Sequence, residues 1–166
     1  MAARPSEVIG LNYDSAFSVY ETAKTLDPWE GESYDGTSVL AGAKAVQKLH
    51  PGKITEYRWA FSLQDVLRTL SYYGPVVIGI PWYEGMFEPD QNGLIAPTGW
   101  QVGGHAILVN GINVKKGQVR LHNSWGAAWA KGGDCFLSFA DLDRLLHEQG
   151  EACIAVKRAV EHRRIK

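Results

Sequence analysis

The chain has 166 residues, of which 45% are hydrophobic and 21% are charged, and its formal net charge at pH 7 is −1. This length suits one domain, or two small lobes that share a core, and the composition is that of an ordinary globular protein. A charge so close to zero gives no attraction to nucleic acid or to membrane surfaces. No apolar run in the sequence approaches the roughly 18 residues of a transmembrane span. We therefore expect neither a nucleic acid nor a membrane as a partner.

The cysteines and the chain ends bear on the cellular setting. Cys135 and Cys153 are too few for a disulfide scaffold, and the first ten residues lack the apolar core of a signal peptide. Residues 162–166 form a short basic tail, which we interpret as a solvated end. A cytoplasmic location is the expectation that follows. The sequence has no CxxC, HExxH or phosphate-loop motif, so we predict neither a metal nor a cofactor.

The apolar periodicity predicts helices in the first part of the chain and mostly strands in the rest. Asp14 or Ser15 is expected to cap the first helix, and Asp27-Pro28 to end it. Ser62 and Asp65 form a capping box ahead of the third helix. This segregation is typical of α+β folds. The predicted helices cover residues 16–26, 38–49, 63–72 and 140–149, and the predicted strands cover 54–60, 76–80, 105–112, 118–124, 135–139 and 153–156, with a long loop over 81–100.

Residues 103–126 are predicted to form a β-hairpin. The first strand, residues 105–112, is rich in Ile, Leu and Val, and the second, residues 118–124, alternates between apolar and polar side chains. Between them, residues 113–117 are polar and end in Gly, as a hairpin turn should.

The hairpin brings together a His and an Asn. Asn123 lies on the same face of its strand as Val119 and Leu121, and antiparallel pairing across the turn places His105 within side-chain reach of it. A His that is oriented by an amide is half of a constellation of nucleophile, base and orienting group. Trp125 follows closely and can shield the bond between His105 and Asn123 from water.

The same stretch resembles the papain-like cysteine peptidases. In that family the catalytic His stands in an "HA" pair before an apolar strand, and the orienting Asn stands in "NSWG". His105-Ala106 and Asn123-Ser124-Trp125-Gly126 match both motifs, with the two functional residues eighteen positions apart. Further matches, ending at about Val156, are the "GPV" of Gly74-Pro75-Val76, the second Trp at Trp129 and the turn at Gly132-Gly133.

The resemblance implies both a fold and a reaction. The implied fold is α+β, with an incomplete helical lobe over residues 1–73 packed on an antiparallel β-barrel-like lobe over residues 74–166. The implied reaction is peptide-bond hydrolysis, in which a Cys thiolate attacks the carbonyl, His105 moves the proton and Asn123 holds the imidazole.

The nucleophilic Cys of that family has no counterpart in this sequence. In the family it stands in a "CGSCW"-like motif at a helix N-terminus, which favours the thiolate, about 130–150 residues before the His. Here 104 residues precede His105 and none is a Cys. Cys135 and Cys153 fall in predicted strands, where we expect buried structural thiols. We interpret the chain as starting downstream of the catalytic Cys, with a natural Cys-less protein as the alternative.

Ser38 is the substitute nucleophile that the sequence offers. The run "DGTSVLAGA" around it superficially resembles "CGSCWAFSA", but only 67 residues separate Ser38 from His105. Helix N-capping accounts for Thr37 and Ser38 without any catalytic role. Gln101 lies on the wrong side of His105 to replace the Gln that supplies the family's oxyanion-hole donor.

Several side chains near the hairpin are candidates for substrate contacts. We predict that Trp82, Gly104 and Trp125 bind substrate. Tyr83, Glu84 and Met86 follow Trp82 along the chain, and for all four a place in the core is an equally good interpretation.

The remaining polar candidates have ordinary explanations. His122 is expected to point away from Asn123 into solvent. No His or Cys joins the acidic loop around residues 29–36, so we predict no metal site there. The acidic residues concerned are Glu30, Glu32 and Asp35, and the histidines expected to be structural or solvated are His50, His147 and His162.

Two functions of different class follow. The first is a cysteine peptidase whose nucleophile comes from another segment, so that this chain by itself is inactive through a thiol. The second is a non-catalytic module of the same fold that binds or supports a peptide or protein. The partners expected are a peptide or protein ligand, together with a complementary N-terminal segment or a second copy of the chain.

Overall fold

The computed structural model describes residues 13–27, 36–51 and 54–156. Its helices are α1 (Tyr13–Leu26), α2 (Val39–Leu49), α3 (Leu63–Tyr72) and α4 (Phe139–His147), with a 3-10 turn at Glu84–Met86. Its strands are β1 (Glu56–Trp59), β2 (Val76–Tyr83), β3 (Gln101–Asn113), β4 (Gln118–His122), β5 (Asp134–Ser138) and β6 (Glu151–Val156).

Serine side chains begin three of the helices. Ser38, Ser62 and Ser138 each precede the first helical residue and accept a hydrogen bond from the backbone N–H three residues on, at 3.0–3.1 Å. The caps predicted at Ser38 and Ser62 therefore mark true helix starts. The first helix differs, because α1 already begins at Tyr13, so Asp14 and Ser15 lie in its first turn instead of capping it.

The strands form one antiparallel sheet in the order β1-β6-β2-β3-β4-β5. β6 lies between β1 and β2, where Val77 faces Cys153 and Trp59 faces Cys153 from the other side. The segment predicted over residues 54–60 thus joins the sheet through a strand from the far end of the described chain.

β2 and β3 are longer than predicted. β2 continues through Pro81. Its pairing with β6 ends at Gly79, so the N–H that Pro81 lacks is not needed for hydrogen bonds between β2 and β6. β3 begins at Gln101, and its Gly103 and Gly104 face Trp82 and Pro81. The loop predicted over 81–100 therefore begins only after Tyr83, and it leads directly into β3 at Gln101.

Two buried clusters hold the elements together. The larger one lies between the sheet and the helices α3 and α4, and includes Ile78, Leu121 and Leu142. The smaller one lies between α1 and α2, where Ala23 and Ala45 allow the two helices to approach closely. The α+β fold class is confirmed. α3, which the sequence analysis placed in the helical lobe, packs on the sheet.

Within the described ranges, no helix has the length and apolar character that crossing a membrane requires.

Candidate active site

His105 lies on β3, on the face of the sheet that carries the core. It pairs with Ile80 of β2, and the next residue on that face, Ile107, is buried. His105 itself is half-buried, because the core ends here and a cleft begins. The strand therefore fixes the backbone of His105 while leaving one side of its ring open.

Asn123 immediately follows β4 and is buried, with 3% of its surface exposed. Its backbone N–H donates to Gly133 O at 2.9 Å, which holds the residue in place. Its side-chain Oδ1 lies 3.0 Å from His105 Nε2. The predicted proximity of the two side chains is confirmed.

The protonation of the imidazole follows from these contacts. Asn123 Oδ1 also accepts from the backbone N–H of Ser124 at 2.8 Å, and because a backbone N–H can only donate, the amide oxygen must face this way. Nε2 of His105 therefore carries the hydrogen, and Nδ1 is the nitrogen with a free lone pair in the neutral ring.

Two opposing effects act on the pKa of His105. Burial lowers the pKa, and the hydrogen bond to Asn123 raises it; burial is the larger effect, so the pKa lies below its ordinary value of 6.5. At neutral pH the imidazole is uncharged and able to accept a proton.

Aromatic rings surround the pair. The Trp82 ring lies 4.5 Å from the His105 ring and the Trp125 ring lies 5.0 Å from it, between ring centroids. Phe87 stacks on Trp125 at 5.5 Å, and Trp129 Nε1 donates to Phe87 O at 2.9 Å. Trp125 thus occupies the shielding position expected from the sequence.

The structure places Trp82 in the core, so its substrate contact stays a prediction. Its side chain is 2% exposed and belongs to the core, as does Met86, so neither presents a surface to a ligand. The alternative interpretation, a place in the core, applies to both. Trp125 is 38% exposed and Gly104 is also exposed, which leaves these two available for contacts.

A cleft of about 610 Å³ opens beside His105. Gly104 and Ala106 line it from β3, Thr37 and Val39 from the start of α2, and Glu151 from the start of β6. Thr37 and Glu151 have no local sequence signal that marks them as cleft residues, because they come from elements far from the hairpin.

The other nucleophile candidates are engaged elsewhere. Ser38 Oγ accepts from Ala41 N at 3.1 Å as a helix cap, and among the described residues no hydrogen bond joins it to His105. Both cysteines are buried. Burial raises the pKa of the Cys135 thiol to about 12 and that of Cys153 to about 11.

The remaining polar candidates lie away from this pair. His122 is exposed, as expected, and its Nδ1 lies 2.6 Å from Asp134 Oδ1. His50 caps the end of α2, and His147 Nδ1 bonds Asp143 O. Across the described ranges, no three His, Cys, Asp or Glu side chains gather in a way that could hold a metal ion. Glu30, Glu32 and His162 lie outside the described residues, as does Asp35.

Comparison with known proteins supports the resemblance seen in the sequence. The chain is 30% identical over 119 residues to cathepsin B-like cysteine proteinase 3 of Ostertagia ostertagi, a match that covers 64% of this chain and 67% of that protein. It is 29% identical over 91 residues to a cysteine protease of Blomia tropicalis, covering 52% of this chain and 27% of that relative. No family model matches the sequence.

The fold has a counterpart among solved structures. Xylellain, a cysteine protease from Xylella fastidiosa, superposes with a TM-score of 0.67 at 20% identity, covering 85% of this chain and 69% of that one. The α+β architecture, the hydrogen-bonded His and Asn and these matches agree on one class of protein, the cysteine proteases. The chain belongs to the papain-like cysteine peptidase family.

Proposed function

We propose that this chain is the base-bearing part of a papain-like cysteine peptidase, with His105 as the proton carrier and Asn123 as its orienting group. The observation that carries the proposal is the 3.0 Å contact between His105 Nε2 and Asn123 Oδ1 beside an open cleft. In the proposed reaction Nδ1 of His105 first takes the proton of the incoming thiol, and the resulting thiolate attacks a peptide carbonyl. As the peptide C–N bond breaks, His105 delivers that proton to the departing amine. His105 then takes a proton from the water that hydrolyses the thioester.

The thiol in this proposal comes from outside the 166 residues. Cys135 and Cys153 are buried and their pKa values are raised to about 12 and about 11, so both are neutral thiols at physiological pH, whereas the thiolate is the nucleophile. A complementary segment, or a second protein chain, would bring its Cys to Nδ1 of His105. Gly104 and Ala106 lie exposed at the cleft and leave room for such a segment.

A non-catalytic binding module is the second candidate. It is favoured by the coexistence of an open cleft with two cysteines that are both buried and protonated. In that case the cleft binds a peptide or protein segment without cutting it, and the aromatic surface formed by Phe87 and Trp125 supplies apolar contact.

The deciding experiment measures peptidase activity on a generic peptide substrate in two steps. The chain is assayed first by itself, then with a synthetic helical peptide that carries one Cys in its first turn. We expect no turnover from the chain by itself and turnover from the mixture, together with thiolate absorbance that rises when the two are combined. His105→Ala in the same mixture should abolish both signals, since the imidazole is the proton acceptor.

Control samples separate the alternatives. Turnover by the chain itself that iodoacetamide treatment removes would show that Cys135 or Cys153 is competent, against the proposal. Turnover lost in Ser38→Ala would make Ser38 the nucleophile. Tight binding of the helical peptide without turnover or thiolate absorbance would favour the binding module.

A further inference from the structure

Trp82 reaches the candidate base from the neighbouring strand. On β2 it is two residues beyond Ile80, which pairs with His105, so Trp82 lies diagonally across from that histidine on the same face. The residue directly opposite Trp82 is Gly103. The Trp82 indole lies against the His105 ring, with the two ring centroids 4.5 Å apart and the planes inclined at 63°.

Trp82 is itself firmly held. The indole makes edge-to-face contacts with Trp125 at 5.4 Å and with Phe87 at 6.2 Å, and the side chain is 2% exposed. These contacts restrict its motion. Trp125, the other aromatic neighbour of His105, is 38% exposed and can move with less loss of buried area. The buried wall against which the imidazole rests is therefore Trp82.

The indole nitrogen suggests that Trp82 is present for its ring. Trp82 Nε1 is buried and finds no hydrogen-bond acceptor among the described residues. A buried donor without an acceptor is destabilising. An aliphatic side chain would fill the core without that cost, so core filling by itself does not account for an indole at this position.

We propose that Trp82 is a positioning residue for His105. The hydrogen bond from Nε2 to Asn123 fixes one point of the imidazole and leaves the ring free to pivot about it. The edge of Trp82 removes that freedom and keeps Nδ1 directed at the cleft. The catalytic consequence rests on the proposed function, whereas the positioning itself is a property of this chain and can be measured without turnover.

The ionisable side chains near His105 do not obscure an effect of Trp82 on the pKa of the imidazole. Glu151 on β6 and Tyr20 on α1 line the same cleft, and among the described residues neither forms an ion pair or hydrogen bond with His105. Burial and the Asn123 bond are the influences on its pKa. A change in the aromatic wall should therefore appear directly in the titration of His105.

The test is a titration of the His105 ring by NMR in the full chain, with Trp82→Leu and Trp82→Phe compared with the unmodified protein. We expect Trp82→Leu to raise the pKa of His105 toward its ordinary value and to broaden the Nε2–H signal. Trp82→Phe, which keeps an aromatic edge, should restore both. Trp59→Leu on β1 is the matched control and should leave His105 unchanged, since Trp59 contacts Tyr57 instead.

A folded Trp82→Leu chain in which His105 titrates as in the unmodified protein would overturn the proposal. If that variant does not fold, the Phe variant decides, because a His105 pKa or Nε2–H signal that differs from the unmodified protein would contradict a role for the aromatic edge. These readouts do not require a nucleophile. An unchanged His105 titration would therefore not contradict the proposed peptidase function. Absence of turnover in the mixture with the Cys peptide would not contradict the role of Trp82.

Discussion

At the residue scale, the candidate site depends on a balance between burial and one hydrogen bond. Burial holds the pKa of His105 below 6.5 and the Asn123 bond opposes it. Because Asn123 Oδ1 accepts from both His105 Nε2 and Ser124 N, its side chain has one orientation that satisfies both donors. The asparagine thus selects the tautomer as well as the position of the ring.

Replacing Asn123 by Leu should lower the pKa of His105 further. The substitution removes the hydrogen bond that favours the protonated ring and puts an apolar side chain of similar size in its place. The lowering of the pKa by burial is then no longer opposed. NMR titration of the His105 ring measures this. Asn110→Leu is the control, because Asn110 bonds Arg120 on another part of the hairpin; a rise in the His105 pKa in Asn123→Leu would contradict the assignment.

The lowered pKa also predicts a pH dependence of stability. A histidine whose pKa is lower in the folded chain binds its proton more readily when unfolded, so its stabilising contribution is complete above pH 6.5 and is lost as the pH falls through its folded pKa. Urea unfolding between pH 7 and pH 5 should show a smaller loss of stability in His105→Gln than in the unmodified protein. Equal slopes for the two proteins would refute this.

At the element scale, the starts of the helices after α1 were predictable, whereas the start of α1 and the ends of β2 and β3 were not. A Ser with an acidic residue three positions on is a local signal, and Ser62 with Asp65 marked the start of α3 correctly. The extension of β2 through Pro81 and of β3 back to Gln101 could not be predicted, because Pro and the Gly103-Gly104 pair are turn signals in isolation. These residues are in strands because Pro81 pairs with Gly104 and Trp82 pairs with Gly103 across the two strands.

The hairpin register shows the same limit. The sequence placed Ile112 opposite Gln118, whereas Ile112 faces Val119. An irregularity between Val109 and Gly111 then shifts the register, so that Leu108 faces His122. The shift restores the predicted register on the side of His105, which is why the proximity of His105 and Asn123 was predictable.

Removing one helix cap should have a measurable cost. Ser62→Ala is expected to lower the free energy of unfolding by about 1 kcal/mol, because Asp65 N loses its acceptor at the start of α3. Ser71→Ala, in the last turn of the same helix, is the control and should change stability by less, since Ser71 Oγ bonds only the Leu67 carbonyl. Equal losses in urea unfolding would argue against the cap.

At the scale of the whole molecule, one core joins α3, α4 and the sheet, and local signals could not show this. The cleft draws on α2, β3 and β6, so Thr37 and Glu151 become neighbours of His105 only after the chain has folded. Glu151 also accepts from Val39 N at 3.1 Å, which ties the start of α2 to the sheet.

Truncating a core side chain on α4 tests this arrangement. Leu145 is fully buried, and Leu145→Ala should lower the free energy of unfolding by about 2–5 kcal/mol through lost burial and the cavity left behind. Leu146 is partly buried in the same helix, so Leu146→Ala is the matched control with a smaller expected loss. A larger loss at Leu146 than at Leu145 would show that α4 packs through a different face.

The central place of β6 has a consequence for how the chain reaches its native state. Thr55 Oγ1 donates to Val156 O across 101 positions of sequence, and β1 pairs with β6 in the described sheet. Pairing of strands so far apart in sequence is slow, because closing the large loop between them costs conformational entropy before the first contact forms. On the ribosome, β1 emerges long before its partner strand is made. Until then the nascent chain carries an unpaired edge on β2 as well as a strand without a neighbour, and this interval is when aggregation is most to be expected.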